Sequence, residues 1–173
     1  HVVGSRTKDM IQAYEKGVPV APIKTVGTSK KTGTKVTFWP DPEIFSVLEF
    51  HFDSLSQRLR ELSFLNPGVR ISILDERTEK KHDFAYEGGI RSFVEHLNKA
   101  KQPIHDKVIF FQDVEGGTGD PKRDADKERV EVALQWNEGY AETLFTFTNT
   151  INNRDGGTHL EGFKTALTRA IQK

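Results

Sequence analysis

No cysteine occurs among the 173 residues, which excludes disulfide stapling, thiolate catalysis and cysteine-based zinc sites. That absence fits an intracellular protein, and the cytoplasm is the expected compartment. Nor is there an excess of charge of either sign. Lys plus Arg and Asp plus Glu stand at 25 each, so no overall positive field attracts nucleic acid and no acidic surplus attracts a basic partner. Any contact with DNA must come from a local patch. No apolar run approaches the roughly 20 residues that a spanning helix needs, and no charged-then-apolar leader opens the chain. No membrane partner is expected. His1-Val2-Val3-Gly4 lacks an initiator methionine and leads straight into strand-like sequence, so the start reads as a cut end.

What is present suffices for a core. Hydrophobic residues make up 35% and charged residues 29%, with twelve Phe and two Trp, a composition typical of soluble globular chains. The length suits one domain or pieces of two.

Met10 to Tyr14 reads as a strand, Glu15-Lys16-Gly17 as its turn, and Val18-Pro19-Val20-Ala21-Pro22 as an extended connector that proline keeps out of helix. After a loop over Gly27 to Gly33, Thr34, Val36 and Phe38 share one face of a period-two pattern, which predicts a strand. Pro40-Asp41-Pro42 ends it, and Pro42 opens a short helical turn. Asp53 is placed to cap a helix with Leu55, Leu59 and Leu62 on its apolar face, stopped by Asn66-Pro67-Gly68. A hairpin follows, from Val69 to Ile73 and from His82 to Tyr86. Gly88-Gly89 breaks the pattern before a helix marked by Ile90, Phe93, Val94 and Leu97 and ending near Asn98. Strands are expected at Lys107–Gln112, Val130–Trp136 and Thr143–Thr148, with a long polar loop, Asp113 to Glu128, between the first two. After a polar loop from Asn149 to Gly157, Thr158 and Glu161 have capping-box spacing ahead of a last helix whose Leu160, Phe163, Leu167 and Ile171 share a face. Strand runs with helices to one side predict the α+β class in both halves.

Few residues advertise chemistry. A glycine beside a threonine at the start of a strand, Gly33-Thr34 followed by Val36, lets a ligand approach the backbone while the hydroxyl and Val36 face the same pocket. A planar base fits such a place, although Lys-Thr-Gly lacks P-loop spacing and a loop and strand without ligand is the plainer reading. Gly116-Gly117-Thr118-Gly119 is followed by Asp120-Pro121-Lys122 instead of a helix start, so a surface loop outweighs a phosphate cradle. The six histidines show no i, i+4 pairing, and no metal is assigned. No nucleophile elbow occurs and nothing in the pattern gathers Ser, His and acid. Arg154, with Arg169, Lys164, Arg91 and Lys99, could form a basic strip for phosphate, against the default of a solvated surface.

Five stretches in collinear order carry a resemblance. Lys31-Thr32-Gly33-Thr34-Lys35-Val36-Thr37-Phe38-Trp39-Pro40-Asp41, Arg58-Leu59-Arg60-Glu61-Leu62-Ser63-Phe64-Leu65-Asn66, Tyr86-Glu87-Gly88-Gly89-Ile90, Val130-Glu131-Val132-Ala133-Leu134-Gln135-Trp136-Asn137, and Gly156-Gly157-Thr158-His159-Leu160-Glu161-Gly162-Phe163 resemble the B subunits of bacterial type II DNA topoisomerases, gyrase more than topoisomerase IV. Val94-Glu95-His96-Leu97-Asn98-Lys99 continues the match. Loop 113–128 looks like an insertion relative to typical members.

The resemblance implies that residues 1–88 are the C-terminal part of a GHKL-type α/β sandwich, the ATPase domain. Residues 89–173 would then begin the transducer, a ribosomal-protein-like α+β fold. Thr34 is similar to the family threonine that bonds near the adenine and its water, framed by Gly33 and Val36. Arg154 matches a family arginine facing the cavity through which DNA passes. The parent would use ATP and Mg2+, would pair with the gyrase A subunit and duplex DNA, and would dimerise through its B subunits on binding ATP. The catalytic glutamate, the magnesium-binding asparagine, the adenine-binding aspartate and the glycine-rich lid of the family match nothing here, and neither does the transducer lysine that reaches the γ-phosphate. No catalytic residue is therefore assigned, and the chain alone is expected to be a monomer that does not hydrolyse ATP. The competing expectation is a stand-alone truncated paralogue that binds DNA or the intact subunit.

Overall fold

The computed structural model describes residues 2–4, 8–114, 116–118, 120, 122–123 and 127–173. The reading of His1 as part of a cut end and the Gly119 position of the glycine-rich stretch lie outside the described residues, as does part of the 113–128 loop. The fold is α+β, as the strand and helix runs predict. Contacts divide it into two compact units, 1–50 and 51–173, and each stands by itself.

In the first unit, β1 (Val2–Gly4), β2 (Asp9–Ile11), β5 (Lys24–Gly27) and β6 (Gly33–Lys35) form an antiparallel sheet in the order β5-β2-β1-β6. A separate hairpin joins β3 (Tyr14–Glu15) to β4 (Val18–Pro19). Its two loop residues, Lys16 (φ 49°) and Gly17 (φ 83°), are both left-handed, as a tight right-twisting hairpin requires. Asp41 organises the short turn foreseen after Pro40, its carbonyl accepting from the Phe45 amide at 2.8 Å.

The strand expected over Thr34 to Phe38 ends at Lys35, whose partner is Val2 of β1. Val36 and Phe38 beyond it stand 62% and 65% exposed. Among residues 8–50 none is buried.

The second unit carries the core. It runs α1 (Phe52–Leu65), the hairpin β7 (Arg70–Asp75) and β8 (Lys80–Ala85), α2 (Gly89–Asn98), the pair β9 (Ile109–Val114) and β10 (Arg129–Leu134), the small hairpin β11 (Phe147–Thr148) and β12 (Ile151–Asn152), and α3 (Thr158–Ile171). Phe52, Phe64, Phe84 and Phe93 are its buried apolar side chains. Phe64 is fully enclosed, stacked on Tyr86 at 3.7 Å and on Phe93 at 5.1 Å between centroids. Enclosing one such ring contributes about 1.5–3 kcal/mol.

Helix α1 ends where Asn66-Pro67-Gly68 predicts, but it buries Phe52, Ser56, Ser63 and Phe64. Leu55 is exposed and Leu59 and Leu62 are half-buried. The aromatic side chains determine which stripe faces α2 and the β7–β8 hairpin. Asp53 lies inside the first turn and does not cap it, since the N-cap is His51. Its carboxylate instead takes Lys80 of β8 at 2.6 Å. Thr158 likewise is the first residue of α3, after Gly157, and no side chain caps that end.

Gly89 opens α2 with φ 59°, and a Cβ there would lie 3.1 Å from Pro67 Cγ, so a larger residue would separate α2 from the end of α1. At the other end of α2, buried Asn98 donates to Gln135 Oε1 at 3.0 Å and accepts from Asn137 Nδ2 at 3.1 Å. This amide chain ties the helix to β10 and the residues after it. The backbone amides of Ile104 and Glu138 complete the junction by bonding the carbonyls of Trp136 and Gln102.

Ser63 is the exception to polar satisfaction: its hydroxyl is fully buried and, among the described residues, has no hydrogen-bond partner. Ser63→Ala is therefore expected to stabilise the chain by about 1 kcal/mol, by removing an unmet desolvation cost. Chemical denaturation would show the midpoint rising, and a fall would mean that the hydroxyl is satisfied. Helix α3 has no buried residue; Leu160, Phe163 and Leu167 are half-buried and Ile171 is 66% exposed. Among the described residues, no helix is long and apolar enough to cross a membrane.

Candidate functional site

The residues singled out in the sequence fall on different units. Gly33 and Thr34 lie on β6, at one edge of the four-stranded sheet, where Gly33 pairs with Gly4 and Thr34 with Val3. Both are exposed, and a Cβ added at Gly33 would meet open space within 4 Å. Val36 follows beyond the strand. The three residues therefore form one open wall, with room for a flat group against the backbone, and not the face of a buried strand.

Arg154 occupies the turn after β12, in the second unit. Asn153 shapes that turn: its carbonyl accepts from the Thr146 hydroxyl and the Gly156 amide, both at 2.9 Å, and its side-chain oxygen accepts from the Thr148 hydroxyl at 3.0 Å. Arg58 of α1 holds the hairpin from below, donating to the Thr150 carbonyl at 2.6 Å while pairing with Glu61 at 3.0 Å. The result is a cleft of about 290 Å³ bordered by Gln57, Glu61, Phe145, Asn153, Arg154 and Leu160.

Because Glu61 is committed to Arg58, Arg154 has no ion pair among the described residues. An uncompensated guanidinium on a rigid turn is suited to binding phosphate without a base code. Of the other basic residues considered with it, Arg91 lies with its guanidinium 4.8 Å over the Phe110 ring and so belongs to packing.

One contact had no signal in the sequence. Ser56 Oγ and His82 Nδ1 lie 2.7 Å apart, although no local pattern links a helix residue to a strand residue so far along the chain. The pair does not make a hydrolytic centre. Ser56 is only 3% exposed, and the nearby carboxylate, Asp53, is bound to Lys80, whose hydrogen bond and charge hold it below the usual range. Ser56 and His82 instead fasten α1 to β8.

Comparison with known proteins gives the context. A family model described as DNA gyrase B matches residues 89–173. The chain is 51% identical over 160 residues to the DNA gyrase B subunit of Myxococcus xanthus, covering 92% of this chain and 18% of the relative. It is 50% identical over 162 residues to the DNA gyrase B subunit of Bacillus cereus, covering 92% of this chain and 38% of the relative. Its fold is similar to the crystal structure of the 43K ATPase domain of Thermus thermophilus gyrase B in complex with an aminocoumarin. That likeness has a TM-score of 0.78 and 33% identity, over 99% of this chain and 44% of the other. The chain thus spans less than half the length of each of these relatives.

Proposed function

Because this chain belongs to the DNA gyrase B family, we propose that its parent is the B subunit of an ATP-dependent type II topoisomerase, in which this segment relays nucleotide state to the DNA-gating machinery. The observation that carries the reading is the match itself: about half of the residues are identical across 92% of the chain in proteins named for gyrase. In that parent, ATP binding and hydrolysis drive passage of one duplex through another and supercoiling, together with the A subunit, and ATP binding closes a dimer of B subunits. A stand-alone regulatory role is not favoured, since the similarity runs through nearly every element. In this reading the parent works in the cytoplasm.

Within the segment, Gly33, Thr34 and Val36 form one wall of the adenine pocket, with the Thr34 hydroxyl as the polar group that recognises the base. The openness of β6 supports this. The described residues do not fit a complete nucleotide site: this wall offers a single hydroxyl, and no group of three or more His, Asp or Glu that could hold a metal occurs among them. The triphosphate clamp and the Mg2+ ligands therefore belong to other parts of the parent. Arg154 contacts the phosphate backbone of the passing duplex, an assignment supported by its unpaired charge. We take the functional boundary between ATPase-derived and transducer parts as 88/89, supported by the family match beginning at Gly89; the packing boundary lies elsewhere, after Phe50.

Isothermal titration of a non-hydrolysable ATP analogue with Mg2+ tests this reading. The chain alone, as a monomer, should give no heat of binding. Mixing it with the remaining part of a gyrase B ATPase domain should create binding that Thr34→Val weakens about tenfold, the loss of one good hydrogen bond. Tight binding by the chain alone, or none after mixing, would overturn the assignment.

A further inference from the structure

A second cleft, of about 320 Å³, opens on the 51–173 unit. Ser56 and Arg60 of α1, His82 of β8, Phe93 and His96 of α2, and Phe145 line it. The two carboxylates at its border are already occupied, Asp53 by Lys80 at 2.6 Å and Glu61 by Arg58 at 3.0 Å. Arg60, His82 and His96 have no carboxylate within ion-pair distance among the described residues. The Arg60 guanidinium instead lies 5.3 Å over the Phe84 ring, which fixes its plane and leaves its donors to be met from the cleft.

The histidines differ in how they are held. Ser56 and the Phe52 ring orient His82. His96 lies with one face toward Phe64, ring centroids 5.5 Å apart. Burial against that ring, then the charges of Arg60 and Lys99, hold its imidazole below the ordinary histidine range. An anion beside the Arg60 guanidinium would offset the charge that holds His96 down.

We propose that this cleft binds a phosphate monoester carried on a planar apolar group, with Arg60, His82 and His96 taking the phosphate and Phe145 the ring. The Arg60 guanidinium supplies a fixed positive charge and the imidazoles add N–H donors for an anion, and the phosphate of a monoester carries about −1.5 to −2 near neutral pH. The planar fork of Arg60 suits two phosphate oxygens at once. Phe145 is 37% exposed and lies 5.3 Å from Phe93, so an apolar ring finds a flat surface beside the charge. The volume lies at the small end of the range for ligand pockets, roughly 300–1,000 Å³. No residue of β6 takes part, so the site stands independently of the adenine assignment.

The test uses the 173-residue chain, with inorganic phosphate and phenyl phosphate as probes, followed through the imidazole resonances of His82 and His96. Both probes should shift these resonances saturably, and phenyl phosphate should bind about tenfold more tightly through its ring. Arg60→Gln should weaken both probes at least tenfold, roughly the worth of a charge-assisted bidentate contact. Should that variant lose its near-ultraviolet dichroism, His96→Gln, at an exposed position, replaces it with the same expectation. Shifts that do not saturate, equal affinity for the two probes, or undiminished binding in a folded variant would each overturn the proposal.

Discussion

Phe64→Ala should destabilise the chain by about 3–5 kcal/mol, the usual cost of deleting an enclosed aromatic ring. Whole domains hold together by only about 5–15 kcal/mol, so the variant should be largely unfolded at modest urea concentrations. The size follows from position. Phe64 has no exposed surface, and it meets Tyr86, Phe93 and His96 at centroid distances of 3.7, 5.1 and 5.5 Å. It is where the end of α1, the end of the β7–β8 hairpin and the middle of α2 converge, so no neighbour can move in to fill the space without uncovering another. Urea titration followed by near-ultraviolet dichroism measures the effect. A loss below about 1 kcal/mol, a surface-like value, would show that the stack is not the centre of the unit.

The second large effect is polar. Asn98→Leu should cost about 1–3 kcal/mol, because the half-buried amides of Gln135 and Asn137 each lose a partner that water replaces only in part. Gln135 Oε1 loses its donor and Asn137 Nδ2 its acceptor. The signature that separates this from simple misfit is a double-mutant cycle. Gln135→Leu added to Asn98→Leu should cost less than the sum of the two alone, since removing both partners is closer to neutral than removing one. Thermal melts of the four proteins provide the cycle, and strict additivity would show that the amides do not act as a unit.

These two residues also mark the limit of what the sequence makes legible. Where a signal is local it reads true: Asn66-Pro67-Gly68 ends α1 at Leu65, β7 and β8 return on each other, α2 closes at Asn98, and a long connection separates β9 from β10. Where the outcome depends on what lies opposite, it does not. Leu55, Leu59 and Leu62 have helical spacing, yet the stripe with Phe52 and Phe64 is the one buried, because larger rings gain more from enclosure. The period-two run through Phe38 is paired only as far as Lys35. Ile151–Asn152 is a strand inside a segment that reads as loop, since pairing with Phe147–Thr148 was invisible in its composition.

The candidate site follows the same division. Its membership came from family resemblance, which carries Gly33, Thr34, Val36 and Arg154 by position. The circumstances that leave Arg154 without an ion pair among the described residues were hidden in tertiary contacts: Glu61 engaged by Arg58, and Asn153 fastened to Thr146 and Thr148. The Arg60, His82 and His96 cluster was likewise unreadable, because its members come from three elements whose adjacency only the packing creates.

Helix α3 buries none of its 14 residues. An isolated helix of that length is marginal in water, because the first turn fixes several dihedral angles for a single hydrogen bond. Its helicity is therefore partly conferred by whatever surface meets Leu160, Phe163, Leu167 and Ile171. Any association along that stripe completes the ordering of the helix, so its intrinsic contact energy is reduced by an entropic toll and its strength depends steeply on temperature and on helix propensity at positions that touch nothing. An association along that stripe would therefore be coupled to the ordering of α3, and a substitution on its solvent side would change the strength of that association without touching the neighbour.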